Sequence, residues 1–442
     1  MERTFVRFQL SAWLAAAAAL AYLCRNCIVV AESTVRKDLG LSEETMGFVL
    51  GSFFWSYALT QIPGGWSGQR FGSRRMLPIL AVASSAATAV MAMAQGAASL
   101  LAGRLLSGIS QAGLFPCSAL SISKWHPQVE RALASGILGA AMSVGAAIAA
   151  ALTGELLEIL HWRVIFFLYA APAVAWAVFF YGWFRETPGE HPATNNAEVD
   201  WISGEVSDEA DDVEPSAHAV PWLQLIRSWP LWMICGQQFF RSAGQAFFYT
   251  WFATYLQESR GVTTAKSGWL LVIPLICTVV ASLSGGAVSD ALFRRTGNLT
   301  LARSGLAGVS LTLCGVLVLS AFFVQDATAA TVIIGAGAFF GSLAGPCAYA
   351  STMDCGGRNV GPVFSTMNMI GNFGAGLIAW ATPRFREWVA ETPHALQLAG
   401  ENSWNAVLIL FGVMYFLAAL CWAMLRVKEG SLDPKDLNKE MP

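Results

Sequence analysis

Runs of about 20 predominantly apolar residues, the length an α-helix needs to cross the hydrocarbon core of a bilayer, recur throughout this chain. They fall near residues 11–31, 46–67, 76–95, 99–123, 132–153 and 162–184, and, after a polar break, near 230–256, 267–289, 302–323, 329–353, 360–383 and 402–425. Of 442 residues 55% are hydrophobic and 13% charged, against roughly 25% charged in a soluble domain. The expectation is an all-α membrane protein with twelve transmembrane helices in two six-helix bundles, residues 1–184 and 230–426. An acidic linker, 185–229, joins them, and a tail, 427–442, follows.

Basic residues set the expected orientation. Arg3 and Arg7, then Arg70, Arg74 and Arg75, then Lys124 and Arg131, then Arg294, Arg295 and Arg303 all fall on one side of a twelve-helix count. By the positive-inside rule both termini and the linker are then cytoplasmic. The first apolar run lacks the small-residue cleavage site of a signal peptide and reads as a retained helix. The linker carries Glu198, Asp200, Glu205, Asp208, Glu209, Asp211, Asp212 and Glu214. Such a composition cannot form a packed core and is expected to be mostly disordered.

Several chemistries are not supported. Nine cysteines, an odd number and mostly within helices, do not make a disulfide framework. Cys24 and Cys27 form a C-x-x-C around Arg25 without the second pair or nearby histidine that a metal site requires. No nucleophile–base pair or phosphate loop is visible, so no enzyme, metal or cofactor is expected. A net charge of −2 says nothing about partners, and no nucleic acid is expected among them.

Arg25, Arg104 and Arg241 lie near the middle of spanning runs, and no Asp or Glu is found at comparable depth. A charge at the centre of a membrane helix costs roughly 2.5–3.5 kcal/mol on insertion scales, and arginine cannot lose its proton to escape that cost. The natural counter-charge arrives from solution, which points to transport of organic anions. Gln238, Arg241 and Gln245 are spaced three and four apart and share one helix face. Forked guanidinium groups suit carboxylate or phosphate. Gln111 lies about two turns beyond Arg104 on the same face, and Arg104 either tunes the field of a cavity or stays fixed to backbone groups. Tyr57 and Gln61, with Ser365, Asn368 and Asn372, offer neutral hydrogen-bonding groups for a hydroxyl-rich ligand. Interhelical hydrogen bonding is the alternative for each.

The halves echo one another. Gly64-Gly65-Trp66-Ser67-Gly68-Gln69-Arg70-Phe71-Gly72-Ser73-Arg74-Arg75 follows the second run, and Gly285-Gly286-Ala287-Val288-Ser289-Asp290-Ala291-Leu292-Phe293-Arg294-Arg295 follows the eighth. Parallel six-helix repeats, each of two inverted triplets, describe the major facilitator architecture, whose substrate site lies at mid-membrane between the halves. Arg25 and Arg241, on counterpart helices, are expected to approach that cavity from opposite sides. The paired loops resemble the superfamily's G-x-x-x-D-R-x-G-R-R. Gly65, Gln69, Arg70 and Arg74, and Asp290 with Arg294, are therefore the expected gating positions, with Gln69 where an acid is usual.

Over nearly its whole length the chain resembles the anion:cation symporter family of that superfamily. The matching pieces are Phe54-Trp55-Ser56-Tyr57 running to Gln61-Ile62-Pro63-Gly64-Gly65-Trp66, Trp162-Arg163 with Phe166, Thr187-Pro188-Gly189-Glu190-His191-Pro192, Pro221-Trp222, Thr250-Trp251-Phe252, and Asn368-Met369-Ile370-Gly371-Asn372. The resemblance implies a secondary transporter of a sugar acid such as galactonate, glucarate or hexuronate, or a related hydroxy- or dicarboxylate. It implies Arg25 as the substrate arginine, Tyr57 as its hydroxyl-bearing partner, and Asn368 or Asn372 at the sugar hydroxyls. A monomer in a bacterial inner membrane is expected, with the oligomeric state left open, moving a small organic anion with a proton, sodium or a counter-anion. Two departures stand out. Cys24 and Gln111 replace the Asp and Glu of proton-coupled members, and an arginine pair on helices one and seven is similar to the organophosphate:phosphate antiporters. Anion exchange or uniport without proton coupling therefore stays open, as does an anion sensor that does not transport.

Overall fold

The computed structural model describes residues 3–203, 220–262 and 264–433. Among them twelve long helices follow one another, with no strand: α1 (Val6–Val30), α2 (Glu43–Phe71), α3 (Ser73–Ala92), α4 (Ala97–Trp125, with a turn after Gln111), α5 (Gln128–Ile159), α6 (Trp162–Trp183), α7 (Trp229–Ala246), α8 (Thr264–Thr296), α9 (Leu306–Ser320), α10 (Ala327–Gly356), α11 (Val360–Glu391) and α12 (Ser403–Met424). A π turn, Phe247–Trp251, carries α7 into a further helix, Phe252–Arg260, and a second π turn, Leu301–Gly305, opens α9. Two compact units result, one of residues 1–221 with 356–366, the other of residues 222–355 with 367–442.

By length and hydropathy, all the long helices except α2 and α7 fall within the candidate membrane spans found among the described residues. Those two carry Tyr57, Gln61, Gln238, Arg241 and Gln245. Polar groups inside a spanning helix lower its hydropathy and are retained where function requires them.

In the first unit α1 packs along α5, α2 along α4, and α3 along α6. Close approach needs small residues: a β-carbon at Gly145 of α5 would run into the Ala19 carbonyl of α1. In the second unit α12 packs against both α7 and α9.

The α2–α3 corner turns on Gly72, at φ +80°, in the left-handed region that favours glycine. Its N–H closes α2 on the Gly68 carbonyl. The first N–H groups of α3 have no intrahelical acceptor, and Glu186 supplies one, accepting from the Ser73 and Arg74 amides at 3.2 and 3.1 Å and from Lys124 Nζ at 2.7 Å.

The linker departs from the expectation of disorder. A short helix, Asn196–Ser203, brings Glu198 to complete burial. Its carboxylate accepts from the Val6 and Arg7 amides, both at 3.2 Å, and from Arg7 Nη1 at 2.9 Å. It thereby caps α1, where an anion meets the positive end of the helix dipole. Arg7 also pairs with Glu130 at 2.6 Å, beside His126, whose imidazole burial holds below its ordinary pKa. Glu205, Asp208, Glu209, Asp211, Asp212 and Glu214 lie outside the described residues.

Past the end of α1, Asp38 accepts from Trp162 Nε1 at 3.0 Å and pairs with Arg163 Nη1 at 2.5 Å. The hydrogen bond from Arg163 holds the Asp38 carboxyl below its ordinary value. A carboxyl depressed in the folded state contributes stability above its unfolded pKa of about 3.9 and loses it as pH falls through the folded value. Asp38→Asn is therefore expected to lower Tm by a constant amount from pH 7 down to about pH 5, the gap closing below about pH 4. A gap independent of pH in thermal scans would show that the Asp38 charge contributes nothing.

Candidate functional site

In the first unit the candidate residues converge on Arg25. Its guanidinium carbon lies 4.3, 4.5 and 4.9 Å from the ring centroids of Tyr22, Phe53 and Tyr57, and the last two rings stack at 5.5 Å. Tyr22 is one turn before Arg25 on α1, whereas Phe53 and Tyr57 are one turn apart on α2, so one helix face presents both rings. Arg25 Nε donates to Gln111 Oε1 at 3.1 Å, and Gln111 Nε2 donates to Ser84 Oγ at 3.0 Å. Arg25 Nη2 is buried without a hydrogen-bond partner. Desolvated cation–π contacts are worth about 2 kcal/mol. They hold the charge while leaving guanidinium N–H donors for an acceptor.

Arg104 is 1% exposed and donates from Nη1 to the Arg25 carbonyl at 2.9 Å. Of its two expected roles, the geometry is that of the backbone-fixed one, and it steadies the turn of α1 that carries Arg25. Gln61, one turn beyond Tyr57, is fully buried with both amide atoms unpartnered. Cys24 does not join this cluster. Its thiol donates to the Tyr169 carbonyl at 3.4 Å, in the apolar core with Ile165 and Phe166, because adjacent helix positions point about 100° apart.

In the second unit Arg241 is 5% exposed. It donates from Nη1 to Gln245 Oε1 at 3.0 Å and from Nη2 to Gln238 Oε1 at 2.9 Å. Gln245 Nε2 continues to Ser342 Oγ at 3.3 Å, which donates to Thr278 Oγ1 at 3.2 Å. Gly345 leaves α10 open beside the guanidinium. On α11, Asn372 Nδ2 donates to the Asn368 carbonyl and Ser365 Oγ to the Gly361 carbonyl, each at 2.8 Å within its own helix. Ser365 groups with the first unit and Asn368 and Asn372 with the second.

The Major Facilitator Superfamily domain matches residues 14–379. The D-galactonate transporter of Escherichia coli O6:H1 is 30% identical over 307 residues, 68% of this chain and 69% of that one. The probable sulfoacetate transporter of Cupriavidus necator is 28% identical over 349 residues, 79% and 80% of the two chains. Among solved structures, a proton:xylose symporter superposes with a TM-score of 0.72 at 14% identity, covering 98% of both chains. It carries the fold alone.

The chain belongs to the Major Facilitator Superfamily.

Within it, the group is that of the sugar-acid transporters, as the motifs imply, and the protein is an integral membrane transporter rather than an enzyme. The two superfamily loops differ in how they are held. In the second unit Asp290 is buried and pairs with Arg303 Nη1 at 2.8 Å, while Arg303 Nε pairs with Asp354 at 3.1 Å and Nη1 also reaches Ser289 Oγ at 2.7 Å. Arg294 is exposed. In the first unit Gln69 donates instead to the Arg358 carbonyl, and Gly65 approaches Gly361 closely enough to exclude a side chain. Arg70 lies over the Trp66 and Phe71 rings, and the Arg74 backbone N–H donates to Glu186. Sequence reasoning missed Phe53, Arg303 as a buried partner, and Asp354. The four-residue spacing of Phe53 and Tyr57 was the available signal for the first; no local pattern marks the pairing of residues 303 and 354.

Removing the cation from this buried triad leaves two carboxylates uncompensated. Arg303→Gln is expected to cost about 3–5 kcal/mol, read as a fall in Tm of the purified protein, whereas Gln69→Ala is expected to cost about 1 kcal/mol. Equal effects of the two would refute the distinction between the loops.

Proposed function

We propose that this transporter moves an organic acid across the membrane by alternating access. The favoured solute is a sugar acid such as galactonate, glucarate or hexuronate, or a related hydroxy- or dicarboxylate. Arg25 is the main anchor and Arg241 the second. Tyr57, Gln61, Gln238, Gln245, Ser365, Asn368 and Asn372 serve the hydroxyls. The observation that carries the reading is the setting of Arg25: a positive charge held by three rings and a neutral amide, with no carboxylate paired to it among the described residues. The transport of organic acids by relatives, galactonate and sulfoacetate among them, supports the substrate class. The two ligands share an acidic group and differ in hydroxyls. A protein membrane orientation with both termini cytoplasmic, in a bacterial inner membrane, is part of the proposal.

A second reading, anion exchange without proton coupling, is favoured by Gln111. The side chain that touches Arg25 is an amide, which neither takes up nor releases a proton. Cys24, the other coupling candidate, lies in the apolar core.

Uptake of labelled galactonate into proteoliposomes tests both. Arg25→Gln is expected to abolish saturable uptake. Arg25→Lys keeps the charge but loses the forked donors and the ring stacking, and is expected to lower kcat/KM at least about tenfold, or 1.4 kcal/mol. Exchange predicts uptake that needs internal anion and is flat between pH 6 and 8. Strict dependence on a proton gradient with empty vesicles would refute exchange and leave the anchor assignment standing. Retention of galactonate uptake by Arg25→Gln would refute the anchor. A purified protein that binds the acid yet moves none would be a sensor.

A further inference from the structure

Helices α9 and α12, with the π turn Leu301–Gly305, enclose a groove of about 670 Å³ in the second unit, remote in sequence from every residue assigned to the transported anion. Most of its lining residues are apolar, and Leu301, Val309 and Leu313 are 47, 62 and 41% exposed, as expected of surface turned toward lipid. Gly305 and Gly308 are among its lining residues.

Two polar groups in the lining are out of place for an apolar surface. Trp422 is fully buried, yet its indole Nε1–H has no acceptor. The other two fully buried indoles have one: Trp125 donates to the Arg185 carbonyl at 3.2 Å and Trp162 to Asp38 at 3.0 Å. Ser304, 4% exposed, also has an unpartnered hydroxyl. Helical serines and threonines ordinarily donate to the carbonyl four residues back, as Ser310 does to Leu306 and Thr312 to Gly308 at 2.8 and 2.9 Å. Ser304 lies inside the π turn, where the backbone register is shifted, and such turns are frequent at functional sites. Two residues that line this groove thus hold buried donors with no acceptor among the described residues, an arrangement that is costly unless an acceptor reaches them.

The mouth of the groove is basic. Arg426 lines it and is exposed, Lys428 follows two residues on, and Arg294 and Arg295 are exposed at the end of α8, which packs on the π turn. Glu429 is the acid in the same stretch. Thr300 Oγ1 donates to the Val427 carbonyl at 3.1 Å, fixing this segment to the π turn.

We propose that the groove is a binding site for an anionic glycerophospholipid. One acyl chain lies along Val309 and Leu313, the ester or phosphate oxygens accept from Trp422 Nε1 and Ser304 Oγ, and the headgroup charge meets Arg426. Anionic headgroups are drawn to exposed arginine and lysine at the membrane surface, and tryptophan is enriched at that level. The exposed apolar residues of its lining suit a lipid rather than a free anion.

The test is native mass spectrometry of the full chain, delipidated in detergent and titrated with dioleoyl phosphatidylglycerol or dioleoyl phosphatidylcholine. Gly308→Leu is directed at the groove: its β-carbon meets Trp422 Cβ at an ordinary 3.7 Å, and leucine favours helix over glycine. Retention of one phosphatidylglycerol, at least tenfold tighter than phosphatidylcholine, weakened about tenfold by Arg426→Gln and by Trp422→Phe and lost in Gly308→Leu, is the expected result. Equal retention of the two lipids, or full retention by Gly308→Leu with unchanged Tm, would overturn the proposal. So would tighter binding of inorganic phosphate than of the lipid, or concentration-dependent dimers that Gly308→Leu abolishes, since these assign the groove to a free anion or a second copy. Should Gly308→Leu fail to fold, Arg426→Gln and Trp422→Phe decide alone, and wild-type retention by both counts against the site.

Discussion

A guanidinium cannot shed its charge, and a bundle of apolar helices cannot leave it bare. How Arg7, Arg303 and Arg25 are compensated shows two different uses of that constraint. Arg7 and Arg303 are matched by carboxylates from remote parts of the chain, Glu130 and Glu198 for the one, Asp290 and Asp354 for the other. Such pairs fix elements in place, because losing one partner strands the other. Arg25 is compensated differently, by ring faces and a neutral amide. The first kind of site is complete. The second retains its full charge and has a buried donor to spare.

Two glutamates after α6 perform a related service for backbone groups. A helix begins with N–H groups that its own turns cannot satisfy. Glu186 accepts them for α3 and Glu198 for α1. The segment that leaves the first six helices thus closes the ends of two of them, which couples its position to theirs. In the sequence Glu198 is one acid among many in a polar stretch. Nothing local marks it as the one that is buried, because its partners lie more than 190 residues away.

The same contrast separates what could be read from the sequence from what could not. Helix number and placement were legible because bilayer thickness imposes a length on each apolar run. The Gln238–Arg241–Gln245 cluster was legible because the three and four residue spacings of one helix fix which side chains meet. The Arg25 cage was legible in part: the spacings put Arg25 on α1 and Tyr57 on α2, but which face each helix turns to the other is set by packing. Hence Phe53 and the hydrogen bond to Gln111, 86 residues away, were not foreseen, and Cys24 was grouped with Arg25 although it faces the core.

The compensation of Arg25 also bears on how a transport cycle is closed. A carrier that works by alternating access has to return to its starting state, and in a proton symporter a carboxylate beside the substrate arginine can neutralise it once substrate and proton have left. Here the group beside Arg25 is Gln111, which is neutral at every pH, so an empty site keeps a net positive charge. When such a carrier turns over, its site is closed from water on both sides and a bare charge there is costly, whereas an anion on Arg25 cancels it in both directions. The cycle with the lowest barrier is then one in which the site is never empty when it turns over. With Arg25 as the proposed anchor, this favours the exchange reading proposed above, with a second anion as the returning partner.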